Sequence, residues 1–405
     1  MWLLGWASLF TDAATEMIYP LLPVYLSRVL GAGALALGII EGVAEGVNSV
    51  LKIVSGSVSD RWTRRRSIVI AGYLLSSAVR PFIAITASWT QVLLVRVLDR
   101  TGKGIRGAPR DAMLARFASA ADRGRVFGFH RAMDHAGAIV GPLIAAALLW
   151  LAPGEYRRVF ALTVIPGAVA VALLFLVPEA DSAKSRGANL SGSRGEAGGL
   201  APYAAPRALP RRLWTFLAVL LLFSLGNSAD AFLLLRVSDA LGSATVIPLL
   251  WSAFHIVKAS LSTWGGTLSD RLGRKQVIVI GWFIYAVVYL GFASATSAGA
   301  LVGWFLVYGV YFALTEGAEK ALVADLAPAE RHGAAFGVYN AALGGGTLAA
   351  SVVFGFLYER FGARVAFGTG AGLAAAAACA LVLVRTHDGR DAKMGSSDVS
   401  HSHHQ

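Results

Sequence analysis

Apolar residues fill the chain in long stretches, broken by short polar segments. Twelve such stretches are predicted, roughly 2–28, 34–58, 67–87, 90–114, 126–150, 157–177, 213–237, 244–268, 276–296, 299–323, 334–358 and 364–384. About 20 apolar residues in a helix cross the ~30 Å hydrocarbon layer of a bilayer. Backbone groups in lipid must be satisfied internally, and these Ala-, Leu-, Val- and Gly-rich runs are too long for barrel strands, so helices are predicted. The first stretch carries Asp12 and Glu16 and lacks a basic leading segment, so it reads as a span and not as a cleaved signal. The pattern predicts an all-α membrane protein of twelve transmembrane helices in two pseudo-symmetric six-helix halves. The halves cover 1–177 and 212–385. Residues 178–211, rich in Gly, Ser and charge, form a flexible cytoplasmic linker, and 386–405 form a polar tail.

The halves are related in sequence. The loop after the second span reads Gly56-Ser-Val-Ser-Asp60-Arg61-Trp62-Thr63-Arg64-Arg65-Arg66, and the loop after the eighth reads Gly266-Thr-Leu-Ser-Asp270-Arg271-Leu272-Gly273-Arg274-Lys275. The offset from Asp60 to Asp270 is 210 residues, and Phe127-Gly128 recurs at nearly the same distance as Phe336-Gly337. Two related membrane halves are the layout of a transporter built by duplication.

Composition agrees with a membrane protein: 56% of residues are apolar and 15% charged, with a mean hydropathy of +0.61. The net charge of +12 invites a nucleic-acid reading, which the distribution of charge rejects. Loops on one side carry Arg61, Arg64 to Arg66, Arg116, Arg123, Arg125, Arg271, Arg274, Lys275 and Arg331, together with the basic residues of linker and tail. Loops on the other carry only Arg28, Arg157, Arg158, Arg236, Arg360 and Arg364. This is the positive-inside bias, and it puts both termini in the cytoplasm of a bacterial-type inner membrane, with the basic loops against anionic lipid. The lone cysteine, Cys379, allows no disulfide within the chain and reads as a small buried hydrophobe. Gly102-Lys103-Gly104 lacks the following Ser or Thr and lies within a span, so no nucleotide-binding loop is present, and neither an enzyme nor a nucleotide-driven pump is expected.

On these motifs the chain resembles the major facilitator superfamily over essentially its whole length. Both Asp-Arg loops look like that family's signature, the first departing by Thr63 where Gly is usual. The resemblance implies a conformational latch of Gly56, Asp60, Arg61, Arg64, Gly266, Asp270, Arg271 and Arg274, whose pairing stabilises the outward-facing state and breaks during transport. On the fourth span Arg96, Asp99, Arg100 and Lys103 share one helix face, continued by Arg106 and Arg110. This run is similar to the family's Arg-bearing motif, which implies a role in proton coupling for Arg96 and Asp99. Arg106 and Arg110 read as structural or snorkelling charges. The fifth span carries Gly128, Gly137, Gly141 and Pro142 at the spacing of the antiporter motif of drug and metabolite exporters, departing at Ala145-Ala146. The match implies export by proton antiport.

Charges at membrane depth face a cavity or a partner. The candidates for proton coupling or the substrate cavity are Asp12, Glu16, Glu41, Glu45, Lys52, Arg80, Arg96, Asp99, Arg100, Asp230, His255, Lys258, Glu316 and Lys320, with Glu16, Glu45 and Glu316 foremost for the proton. The expected partners are a small solute, protons and the bilayer, with no cofactor, nucleotide or nucleic acid, and the chain is expected to act as a monomer. Two alternatives share the architecture. Divalent metal efflux, of nickel or cobalt, would rest weakly on His401, His403 and His404, with imidazole as ligand. Import by proton symport would keep both basic loops and conflicts with the fifth-span motif.

Overall fold

The computed structural model describes residues 2–61, 65–116, 123–177, 209–243, 245–327 and 332–384. Within residues 53, 56–61, 65, 108, 112, 115–116, 123–129 and 332–334 it describes the backbone alone. The linker from 178 to 208 and the tail from 385 lie outside the described residues. Every element described is helical: α1 Trp2–Ile18, α2 Ala34–Arg61, α3 Arg65–Val79, α4 Trp89–Arg116, α5 Arg123–Leu151, α6 Tyr156–Leu162, α7 Val164–Phe175, α8 Arg211–Gly226, α9 Ala231–Leu241, α10 Val246–Leu272, α11 Arg274–Ser294, α12 Ala298–Leu326, α13 His332–Phe361 and α14 Ala363–Leu383. Taking α6 with α7 and α8 with α9, they form twelve segments that follow the twelve apolar stretches. Ten of these are long and apolar enough to cross a bilayer. The other two are α1, with 17 regular residues, and α4, whose face is charged.

The interruptions have local causes. Pro20 and Pro23, which lack a donor, fall where α1 gives way to a tight turn at Tyr19–Leu21, a helical turn at Leu22–Val24 and a wider turn at Tyr25–Val29. Arg80-Pro81 ends α3, as its sequence predicts, and a tight turn runs on to Ile85. Carbonyls left open there are covered by Arg157, whose guanidinium donates to Ala84 O at 3.1 Å and Thr86 O at 3.0 Å. Gly273, at φ +101°, makes the turn from α10 into α11, a backbone conformation that costs a side-chain-bearing residue.

The described residues divide into two compact units, one within 1–177 and 229–255 and the other within 209–228 and 256–384. In the first, α1 packs on α5, and α4 packs on α2 and α3. α9 and the start of α10 belong to this unit. Arg28 fixes α9 by donating to Ser238 O at 2.9 Å and Gly242 O at 3.2 Å, and Ser252 of α10 donates to Ile139 O of α5 at 3.0 Å. In the second, α11 packs on α12 and α14, and α8 on α13 and α14. Large apolar side chains such as Leu94, Trp150 and Leu383 are exposed, as the lipid-facing side of a membrane helix requires. Cys379 is exposed, against the expectation of a buried thiol. A small apolar side chain loses nothing by facing lipid, so apolar surroundings in sequence do not decide its burial.

Candidate functional site

In the first unit the charged face of α4 closes an ion network over three other segments. Arg96 reaches Glu41 of α2 at 2.8 Å and Asp99 at 3.8 Å, and Asp99 accepts from Arg80 Nε at 2.8 Å. Arg80 also donates to the Thr11 carbonyl of α1 at 3.2 Å, and the Arg96 guanidinium lies 5.7 Å from the Tyr19 ring centroid. Arg80, Arg96, Asp99 and Glu41 are all buried, so each carboxylate needs its guanidinium. One turn further, Arg100 stands 4.0 Å from Glu45, which accepts from Asn48 at 2.8 Å. Arg106 donates to Ser76 at 3.0 Å and stacks 4.1 Å from the Tyr73 centroid. Arg110 donates to Ser8 at 3.3 Å. Lys52 lies one turn beyond Asn48 on α2 and is an electrostatic neighbour of Glu45.

α1 brings two acids to this network. Asp12 has Lys103, Arg106, Arg110 and Asp134 as electrostatic neighbours. Asp134 of α5, which accepts from Ser8, stands 3.5 Å from His130. Glu16 is held differently: its Oε2 accepts the indole N–H of Trp251, on α10, at 2.8 Å. Trp251 packs against Tyr19 at 5.1 Å between centroids and against His255 at 4.8 Å, and His255 Nδ1 lies 3.1 Å from the Trp251 carbonyl. Asp230 stands at the start of α9.

Two of the motif glycines on α5 permit this arrangement. A Cβ on Gly137 would stand 2.4 Å from Leu9 O, and one on Gly141 2.3 Å from Ala13 O, so α5 touches the backbone of α1 where Asp12 sits. Gly128 lies in α5 with its surroundings undescribed. In the second unit a Cβ on Gly346 of α13 would stand 2.4 Å from the Ser224 side chain of α8.

The second unit is aromatic where the first is ionic. Phe223 stacks on Trp282 at 4.4 Å and 8°, and Tyr285, Tyr289, Tyr308 and Tyr311 continue the cluster. Its charges lie beside this cluster. Lys258 reaches Glu316 at 3.1 Å and the Phe312 ring at 4.5 Å, and Lys320 reaches Glu316 at 3.4 Å. Glu319 is buried and accepts from Trp282 at 3.0 Å and Tyr339 at 3.1 Å. The sequence places Glu319 at membrane depth beside Glu316 and Lys320, but charge and spacing single out Glu316, which makes the obvious ion pair.

The second Asp-Arg loop is built around Arg274, which pairs with Asp270 four residues back and with Asp325 at 3.3 Å, and which donates to Ser269 at 3.0 Å. Lys275 donates to Val382 O at 2.8 Å and Val384 O at 2.7 Å. In the first loop Gly56, Asp60 and Arg61 lie at the end of α2 with their side chains undescribed, and Arg64 lies outside the described residues, as do His401, His403 and His404. Among the described residues no group of three His, Cys, Asp or Glu side chains is placed to hold a metal ion.

A helical bundle with lipid-facing apolar surface and buried ion networks defines a polytopic membrane transporter. The Major Facilitator Superfamily model matches residues 4–238 and 230–399, and the chain belongs to that family, whose members are transporters and not enzymes. An uncharacterized MFS-type transporter of Methanocaldococcus jannaschii is 31% identical over 365 residues, 89% of this chain and 88% of the relative. The multidrug efflux pump LfrA of Mycolicibacterium smegmatis is 33% identical over 158 residues, 38% of this chain and 31% of the pump. Among solved structures the nucleoside transporter NupG superposes with a TM-score of 0.75 at 16% identity, over 95% of this chain and 99% of that one. The D-xylose-proton symporter superposes at 0.72 and 16% identity, over 95% and 97%. At those identities the superpositions speak to the fold.

Proposed function

We propose that the protein is a proton-driven exporter of a small organic solute, working by alternating access in a bacterial-type inner membrane as a monomer with both termini cytoplasmic. The observation that carries the coupling is the Glu16–Trp251 bond. Of the three foremost carboxylates, Glu45 faces Arg100 and Glu316 is shared by Lys258 and Lys320. Glu16 takes a neutral indole donor and is half-buried. A half-buried acid whose hydrogen-bond donor is neutral can exchange its proton without breaking an ion pair. The bond also joins span one to span eight, so protonation changes a contact between segments from the two sequence halves.

In this reading Glu16 gains its proton in one conformation and loses it as solute binds in the other. The Arg96–Asp99–Arg80 network keeps α4 in register, and the two Asp-Arg loops latch the cytoplasmic side. Support for export comes from the close α1–α5 packing at the fifth-span glycines and from the partial likeness to a multidrug efflux pump. The test uses purified protein in liposomes loaded with a pH-sensitive dye, screened with cationic drugs, organic anions, phosphorylated metabolites and divalent metals. Proton flux opposite to solute flux, lost in Glu16→Gln, is the expected result. Flux in the same direction would make the protein a symporter, and coupling retained in Glu16→Gln would remove Glu16 from the mechanism.

A further inference from the structure

Among the described residues Glu319 is the most enclosed acid of the second unit, at 6% exposure, and both its oxygens are in use. Oε1 accepts the indole N–H of Trp282 on α11 at 3.0 Å, and Oε2 accepts the hydroxyl of Tyr339 on α13 at 3.1 Å. Trp282 and Tyr339 are themselves buried, at 0% and 3% exposure. Both donors are neutral. Among the described residues no cation stands within ion-pair reach of Glu319, and Lys320, the next residue, turns to Glu316. In the first unit the buried acids Glu41 and Asp99 have guanidinium partners at 2.8 Å. Burial disfavours the charged form of a carboxylic acid, and neutral donors offset that cost only in part.

We propose that Glu319 is a second proton-loading site, which in its ionised form clasps α11, α12 and α13 together through Trp282 and Tyr339. The inference rests on the proton-coupled reading for its place in transport, but not for its chemistry. An ionised carboxylate only accepts hydrogen bonds, and a protonated one carries a donor. The incoming proton binds Oε2. Tyr339, whose hydroxyl both donates and accepts, turns to accept from the new O–H. Trp282, which only donates, keeps its bond to Oε1. Loading therefore reverses the α12–α13 hydrogen bond and preserves the α11–α12 bond. The Trp282 ring lies flat on Phe223 of α8, so the preserved bond stays tied to the aromatic cluster.

Other charged groups act on Glu319 from a distance. Glu316 and Lys320 are its electrostatic neighbours on α12, and Lys258 of α10 is bound to Glu316. On α11, Arg274 and Lys275 sit about 10 Å along the helix from Trp282 and are held by Asp270, Asp325 and the carbonyls of Val382 and Val384. On α13, Glu359 and Arg360 lie about 30 Å from Tyr339. Arg211 and Arg212 open α8. Tyr311 is a titratable neighbour of Tyr339.

The test needs no substrate. Infrared difference spectra of the purified full-length protein, taken between about pH 5 and about pH 9, a range that brackets proton exchange by buried acids, read protonated carboxyl groups by their C=O stretch. The expected result is one component on acidification that disappears in Glu319→Gln and survives in Glu16→Gln. Gln keeps the acceptor for Trp282 and offers N–H to Tyr339, so it imitates the loaded acid and leaves the packing intact. Trp282→Phe, which removes the donor to the C=O, should shift the same component to higher frequency. A spectrum unchanged in both Glu319→Gln and Trp282→Phe would overturn the proposal. Loss of the band together with unaltered solute-driven proton flux would overturn its role in transport and leave the Glu16 mechanism standing.

Discussion

Trp251 donates its indole N–H to Glu16 at 2.8 Å across 235 residues of sequence. The bond joins α10 to α1 within one compact unit and requires no cation. A hydrogen bond to a charged group contributes about 1.5–3 kcal/mol, one to two orders of magnitude in an equilibrium. Trp251→Phe keeps a ring against Tyr19 and His255 and deletes only the donor. Solute-driven proton exchange in liposomes is expected to fall about tenfold, with the protein still present in the membrane. Exchange at the wild-type rate would mean that Glu16 is not held by this bond during transport.

The ion network on α4 predicts a contrast between neighbouring acids. Glu41→Gln leaves Arg96 buried with only Asp99, at 3.8 Å, and Asp99 is already shared with Arg80. Breaking a buried pair from one side costs about 3–5 kcal/mol. Glu45 is partly exposed and stands 4.0 Å from Arg100, which keeps Asp99 as an electrostatic neighbour, so Glu45→Gln should cost less than Glu41→Gln. Thermal unfolding in detergent should show a clear drop in midpoint for the first and a smaller one for the second. Equal drops would contradict the network as drawn.

The sequence displayed the helices more plainly than their partners. Long apolar runs, Arg80-Pro81 and Gly273 set the segments and two of their breaks, because each acts through local backbone chemistry. The shared face of Arg96, Asp99 and Arg100 was visible from their spacing. That Arg96 would choose Glu41 over Glu45 was not, since both acids lie on one stripe of α2 and only the packing of α2 on α4 sets the register. Glu319 was visible as a charge at membrane depth, but not as the acid to single out, for a related reason. Its partners, Trp282 and Tyr339, are neutral residues on other helices, and nothing in the spacing of charges marks a carboxylate held by an indole and a phenol.

Close helix contact at α1 and α5 gives a steric prediction. A Cβ on Gly141 would fall 2.3 Å from Ala13 O, whereas one on Gly107 meets nothing within 4 Å. Overpacking of this kind costs about 1–3 kcal/mol. Gly141→Ala should reduce the yield of monodisperse protein in size-exclusion chromatography, and Gly107→Ala should not. If Gly141→Ala matches the wild type, α5 can slide away from α1 more easily than the backbone approach implies.

Residues 387–405 contain His401, His403 and His404, the only support for metal efflux apart from scattered single histidines. Among the described residues no three ligands converge. Removing 387–405 is therefore expected to leave export of organic solutes unchanged. Uptake and efflux of nickel and cobalt, followed in the same vesicles, check the alternative. A loss confined to those metals would move the assignment to a metal exporter.

Arg274 separates latch from fold. It pairs with Asp270 and, at 3.3 Å, with Asp325. Asp270 and Asp325 are both more than half exposed, and exposed pairs contribute about 0–1 kcal/mol to stability. Asp270→Asn leaves Arg274 its second acid, so the protein should fold and reach the membrane at its normal level. A coupling of about 1 kcal/mol in a two-state equilibrium is nonetheless about fivefold. If the Asp-Arg loops hold one transport conformation, Asp270→Asn should slow solute exchange several-fold, and Asp60→Asn in the first copy of the loop should do the same. Measured in liposomes at matched protein density, wild-type rates in both variants would rule out the latch and reduce the basic residues of these loops to topology signals.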